Sequence, residues 1–317
     1  MNEFNPEGLT MDLPQNRAAM ASPNALAEAC SAGTILEARA VVCDSAHNLL
    51  VDLGCMRGII PREEGAVGIR EGTVRDIAMI SKVNKPVSFV VKSFEKDPLG
   101  KLRAVLSRRE AQEICQREYI KKLQRGDVIP ARVTHLDSFG AFTDIGCGIP
   151  SLIPIDSLSV SRIEHSRERF PSGIDIRAVV KSKDDTGRIC LSHKELLGSW
   201  EENAARFQHG ETVAGIVRSV EEYGVFVELT PNLAGLAEPH EGVRIGQQAS
   251  VYIKTLIPER MKIKLIIIDT FSESCPPPPP VYYYHGSHLD RFVYSPASSD
   301  RLIESRFDDE ETEFSCP

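Results

Sequence analysis

Three times along the chain, a valine-rich run of alternating apolar and polar residues is followed by a turn and further alternating runs. The first run is "EARAVVCD" from residue 37, the second "VIPARVTHLD" from 128 and the third "TVAGIVRSVE" from 212. Behind them come "HNLLVDLGCMRGIIP" at 47–61, "SFGAFTDIGCGIPSLIP" at 138–154 and "EYGVFVELTPNLAGLAE" at 222–238. Each set closes with two more runs around a turn: "PVSFVVKSFEKDPLGKLRAVLS", "DIRAVVKSKDDTGRICLS" and "QASVYIKTLIPERMKIKLIIID". A period of two points each side of a strand to a different face, and Gly or Asp-Gly breaks between such runs are hairpin signals. Self-similarity of this kind marks repeated structural units.

Each unit therefore reads as five short strands, the size and pattern of a small closed barrel of the OB-fold type. The fold class expected is all-β: three tandem five-stranded barrels at 34–107, 126–192 and 210–269, joined by short helices. The two connecting stretches, 108–125 and 193–209, are rich in helix formers with apolar residues three and four apart. Gly126 and Gly210 are expected to stop them. Residues 1–33 lack a period and are expected to form a flexible lead. Residues 270–317 read as a flexible tail, with five consecutive prolines favouring an extended spacer and an acidic end favouring disorder. Within it "VYYYHGSHLDRFVY" is too aromatic for a solvated tail and is expected to dock on a barrel or a partner.

Composition changes this picture little. The chain has 317 residues, a formal charge of −8 and eight cysteines, none in a Cys-x-x-Cys pair, which fits reduced thiols better than a disulfide framework. The amino terminus has no signal-peptide core, and the most apolar run, "IKLIIID", is too short to cross a bilayer. A cytoplasmic protein without membrane partners is expected. The charge is uneven: residues 119–195 carry twelve basic against ten acidic side chains, a net +2, while residues 270–317 carry a net −6. Acidity concentrated in the tail leaves the barrels open to a polyanion, and the tail could compete for the same basic face.

In a chain that is 6% aromatic, Phe139 and Phe142 flank Gly140. Exposed rings on a barrel strand can stack nucleobases, each stack contributing about 1–3 kcal/mol whatever the base. Residues three apart share a face only if the strand is irregular, and Gly140 is expected to supply a bulge. The third repeat keeps the device as Tyr223, Gly224 and Phe226. The first has His47, Asn48 and Leu50 instead.

On these residues the repeats resemble S1 RNA-binding domains, the OB-type module of ribosomal protein S1. The resemblance covers residues 34–269 and is most specific in the central unit. It implies that an aspartate and an arginine around the last hairpin join the aromatic pair on the RNA face; these fall on Asp184 and Arg188. The arginine position is Lys262 in the third unit, with Lys264 two residues on and Arg260 just before, and Arg103 in the first. The family's histidine after the third strand is replaced by Pro61, Pro154 and Glu238. The resemblance implies a binder of single-stranded messenger RNA linked to the ribosomal small subunit and translation, without enzymatic activity, cofactor or metal.

Other chemistry has little support. Cys43, His47 and Cys55 lack a fourth ligand at a sensible spacing for zinc, "GCG" lacks the remainder of a phosphate-binding loop, and His165 with Arg167–Arg169 reads as a solvated charged face on a loop or short helix between the third and fourth strands. No nucleophile elbow or two-metal carboxylate cluster is present. The second and third units are expected to bind RNA, and the first, degenerate unit or the tail to meet a protein partner. Two alternatives stay open: a protein-interaction scaffold, and a regulatory RNA-binding subunit of an RNA-processing enzyme.

Overall fold

The computed structural model describes residues 4–272 and 276–308. Its framework is three closed barrels. The first is built from β1 (Leu36–Cys43), β2 (Leu49–Asp52), β3 (Arg57–Ile60), β4 (Pro86–Lys96) and β5 (Leu102–Ser107), in the order β1-β2-β3-β5-β4. The second has β6 (Val128–Asp137), β7 (Gly140–Asp144), β8 (Pro150–Pro154), β9 (Asp175–Lys183) and β10 (Ile189–Ser192), ordered β10-β8-β7-β6-β9. The third has β11 (Thr212–Glu221), β12 (Gly224–Thr230), β13 (Leu233–Ala237), β14 (Gln248–Ile257) and β15 (Lys262–Phe271), ordered β11-β12-β13-β15-β14. In each barrel the third and fifth strands pair in parallel, and neighbours such as β1 and β2, β9 and β10, and β11 and β12 pair antiparallel. The expected all-β architecture of three five-stranded barrels is what the chain adopts.

The chain divides into two compact units, residues 1–123 with 130–132 and 144–150, and residues 124–129, 133–143 and 151–317. Among the described residues no helix is long and apolar enough to cross a membrane.

The expectation of a flexible lead fails in the first unit. Residues Pro14–Ala19 (α1) and Pro23–Ala32 (α2) are helical, and Leu26 of α2 is fully buried in the core of the first barrel beside Leu49, Ile60 and Phe89. The boundaries of α2 follow local rules: Ser22 accepts a hydrogen bond from the amide of Ala25, Pro23 begins the first turn, and Gly33 ends it in the left-handed region at φ 61°. The Asn16 side chain donates to the Glu37 carbonyl at 2.8 Å and accepts from the Glu37 amide at 2.9 Å, satisfying the backbone of β1 as a neighbouring strand would.

Ahead of α1, the carboxylate of Glu7 is buried. It accepts from Arg108 at 2.7 and 3.1 Å, from Lys82 at 2.6 Å and from the Ser88 amide at 3.1 Å, while its own amide donates to Asp144 at 2.8 Å. Burial alone would raise the Glu7 carboxyl, but Arg108 and Lys82 outweigh it and hold it at about 2. At Asp144 burial, with the Glu7 charge next to it, outweighs the more distant Lys82 and pushes the carboxyl up to about 6.

Both expected helices form but are shorter than their sequence patterns. The first, α3 (Arg108–Glu118), is capped by the Ser107 hydroxyl and gives way to a 3-10 turn at Ile120–Lys122. In the second, a 3-10 turn at Lys194–Leu197 is broken by Gly198 at φ 86°, after which Ser199 and Glu202 form a capping box for α4 (Trp200–Ala204). Gly126 and Gly210 are not helix stops. Each lies at positive φ just ahead of a barrel's first strand, donating to Val180 and Ile253 respectively at 2.9 Å, so the two glycines serve one strand-leading turn used twice.

The described part of the tail is also ordered, correcting the flexible extension and bearing out docking of the aromatic stretch. Pro277 and Pro280 are half-buried while Pro276, Pro278 and Pro279 are exposed, a period of three that matches an extended polyproline helix. The Tyr282 hydroxyl accepts from the Arg177 amide at 2.9 Å, and the Arg177 guanidinium donates to the carbonyls of Tyr284 and Gly286. Leu289 and Phe307 pack with Val179 and Leu196, and Tyr294 joins the core of the third barrel next to Trp200. Two short strands, β16 (Arg291–Val293) and β17 (Glu304–Arg306), pair with each other. The physical reason is apolar area: the tail's aromatic and aliphatic side chains cover barrel surface that would otherwise face water. The acidic end beyond Asp308 lies outside the described residues.

Candidate nucleic-acid interface

The strand register lays one row of side chains across the outside of each barrel. In the third barrel Ser219 on β11 faces Phe226 on β12, Phe226 faces Leu236 on β13, and Leu236 lies beside Lys264 on β15. Phe226 is half-buried between the fully buried Val225 and Val227, so the row looks away from the core. In the first barrel the same positions are Val42, Leu50, Ile59 and Val105. In the second the His135 ring lies 6.0 Å from Phe142, and Leu152 lies beside Cys190. One close approach aligns the two rows. A Cβ on Gly140 would sit 2.3 Å from the Ile153 carbonyl oxygen, and one on Gly224 would sit 2.4 Å from that of Ala237. Phe142 therefore meets Leu152 as Phe226 meets Leu236.

These approaches also correct the reason for the paired rings. Gly140 is not a bulge in left-handed backbone; it is the first residue of β7, with no room for a side chain against β8. Phe139 belongs to the preceding turn, which frees its ring to return over the face that carries Phe142. The centroids are 5.6 Å apart with planes at 90°. Tyr223 and Phe226 repeat the arrangement at 6.3 Å and 88°. The outer ring of each pair is open to solvent, Phe139 at 47% and Tyr223 at 67% exposure. Between the first two strands of the third barrel the register irregularity falls on the other strand, between Val217 and Ser219 of β11.

Basic groups flank both platforms. Lys262 and Lys264 are exposed on one side of β15, with Ile263 between them pointing into the core. Arg188 is exposed two residues before Cys190, the position that matches Lys262. Among the described residues none of these three side chains has a hydrogen-bond partner, leaving their charges available to a phosphate backbone. In the first barrel Arg103 is held by Glu95 at 2.7 Å, and its row is entirely aliphatic. Asp184 is committed locally: its Oδ1 accepts from the Thr186 amide, the Thr186 hydroxyl and the Arg188 amide at 2.7–2.9 Å. The Thr186 hydroxyl, foremost, and the Arg188 amide hold its carboxyl below the usual carboxylate range. Its visible work is to shape the turn that presents Arg188.

At the replaced histidine positions, Pro61 and Pro154 take nearly the same backbone angles and each begins a 3-10 turn, while Glu238 pairs with Lys254 at 3.1 Å. The residue that sequence reading missed is His135. Its signal was present: alternation along β6 breaks at Thr134-His135, both exposed, at the positions matching Arg218-Ser219. His165, expected on a loop or short helix, caps the 3-10 turn Ser166–Glu168, but the neighbouring Arg169, expected on a solvated face, is buried.

Comparison with known proteins agrees with this geometry. Residues 122–194 match the family model for the S1 RNA binding domain. The chain is 31% identical over 243 residues to a small ribosomal subunit protein bS1 homolog of Bacillus cereus, covering 71% of this chain and 61% of that one. It is 32% identical over 234 residues to the corresponding Bacillus subtilis protein, covering 68% and 58%, and 31% identical over 236 residues to small ribosomal subunit protein bS1 of Staphylococcus aureus, covering 69% and 58%. The chain thus matches about three fifths of the length of these relatives.

Proposed function

The central barrel belongs to the S1 RNA-binding domain family, and from that premise we propose that the chain is a non-enzymatic binder of single-stranded RNA. The second and third barrels carry the binding. One observation supports this above all: the same pair of perpendicular, solvent-open rings, flanked by basic side chains with no hydrogen-bond partner among the described residues, occurs on two successive barrels. Bases stack on the rings while Arg188, Lys262 and Lys264 follow the phosphates. Two modest sites on one chain raise each other's effective concentration and give avidity without a tight single site. By analogy with relatives named for the small ribosomal subunit, the RNA is messenger RNA engaged during translation in the cytoplasm.

The test is fluorescence anisotropy with a labelled single-stranded RNA of mixed sequence, comparing the protein with a Phe139→Ala, Phe142→Ala, Arg188→Ala variant that retains its fold. Salt-sensitive binding that largely disappears in the variant supports the reading; absence of binding by the unaltered protein rejects it. The first barrel favours a second role, contact with a protein. Its row of Val42, Leu50, Ile59 and Val105 offers no ring for a base, and its matching arginine is already neutralised by Glu95.

A further inference from the structure

We propose that His135 is the base-reading residue of the central barrel: its imidazole contacts the edge of the base that stacks on Phe142. This rests on the RNA-binding reading above and extends it from sequence-tolerant stacking to discrimination among bases. Three observations place the ring there. His135 is exposed on β6, and its centroid is 6.0 Å from that of Phe142 with the planes inclined at 35°. Phe139 stands on Phe142 at 5.6 Å and 90°, so Phe142 carries a ring neighbour from the turn and another from β6. Neither imidazole nitrogen of His135 has a hydrogen-bond partner among the described residues, while Thr134 beside it is tied to the Phe142 carbonyl at 3.2 Å.

The chemistry follows from what each ring offers. Phe139 and Phe142 present only faces and edges of carbon, which attract every base in much the same way. An imidazole presents one donor and one acceptor in its neutral form, the complement of a base edge. On the third barrel the facing position is Ser219, too short to reach over the Phe226 ring, and on the first it is Val42, with nothing to donate or accept. The polar contact that Pro154 cannot make from the end of β8 is thereby supplied from the opposite edge of the same platform.

The experiment measures affinity of the full chain for labelled twelve-nucleotide oligo(U), oligo(A) and oligo(C), using the unaltered protein and the variants His135→Ala, His135→Phe and Phe142→Ala. His135 is on the surface, so unchanged thermal unfolding of its variants is expected and is checked first. His135→Ala should weaken binding of the preferred oligomer about fivefold or more, and His135→Phe should keep a ring while removing the difference among the three oligomers. If both His135 variants keep the affinity ratios of the unaltered protein while Phe142→Ala loses binding, His135 is outside the interface and the RNA-binding reading survives alone. If the unaltered protein binds none of the oligomers, the RNA-binding reading falls and the role of His135 falls with it.

Discussion

Arg169 and Glu228 face each other as a two-pronged fork, with nitrogen to oxygen distances of 2.7 and 2.6 Å and both side chains 5% exposed. Arg169 comes from the loop after β8 and Glu228 from β12, so the fork ties the second barrel to the third. Arg218 shares the same carboxylate at 2.8 and 3.1 Å and also reaches Glu168. One carboxylate thus serves two guanidinium groups away from water.

Replacing Glu228 with Gln should therefore cost far more than a surface ion pair. Arg169 would keep its burial and lose its compensating charge, a situation that typically costs about 3–5 kcal/mol. Urea denaturation should show the loss; a change below about 1 kcal/mol would mean that water readily replaces the carboxylate.

Glu7 and Asp144 predict opposite pH dependences from adjoining carboxyls. Glu7 is held at about 2, below its unfolded value of 4.5, so its contribution is present above 4.5 and is lost as pH falls through 2. Asp144 is raised to about 6 from 3.8, so its contribution is full below 3.8 and is lost as pH rises through 6. Stability measured between pH 4 and 7 should carry a falling component that Asp144→Asn removes. An unchanged profile in that variant would assign the slope to another group.

Lys262→Ala with Lys264→Ala should reduce the salt dependence of RNA binding by a predictable amount. Each phosphate contact on a single strand contributes about 0.7 to the slope of log affinity against log salt. Loss of two contacts flattens the slope by about 1.4. Equal slopes in variant and parent would leave the backbone to other cations.

Truncation after Phe271 should loosen the second unit. The Trp200 amide donates to the Tyr294 carbonyl at 2.9 Å, the Tyr294 hydroxyl donates to the Asn232 carbonyl at 2.7 Å, and the Tyr283 amide donates to the Leu196 carbonyl at 2.9 Å. Without the strap the Trp200 amide should exchange its hydrogen markedly faster, and thermal unfolding should begin at lower temperature. Unaltered exchange would reduce the strap to a surface ornament. Phe139 stays open with the strap in place, so the described tail does not occupy the ring platform.

The repeat of five alternating runs was legible in the sequence because period-two burial is a local property: each strand shows its buried face in its own residues. The ring pairs and their basic neighbours were legible for the same reason, as Phe139, Phe142, Tyr223 and Phe226 are exceptional for their positions. The lead and tail were misread where partners lie far along the chain. Glu7 is satisfied by Arg108 and Lys82, and Tyr294 by Trp200 and Asn232, and no period within either segment announces such partners. The signals that could have marked α2, Ser22-Pro23 at its start and Gly33 at its end, are local and were present. Only register, a tertiary quantity, brought His135 to Phe142 and gave the three barrels different faces from one pattern: aliphatic, three-ringed, and aromatic with lysine. Sequence determines which side chains point outward; pairing between strands determines which of them meet, and so what each face can bind.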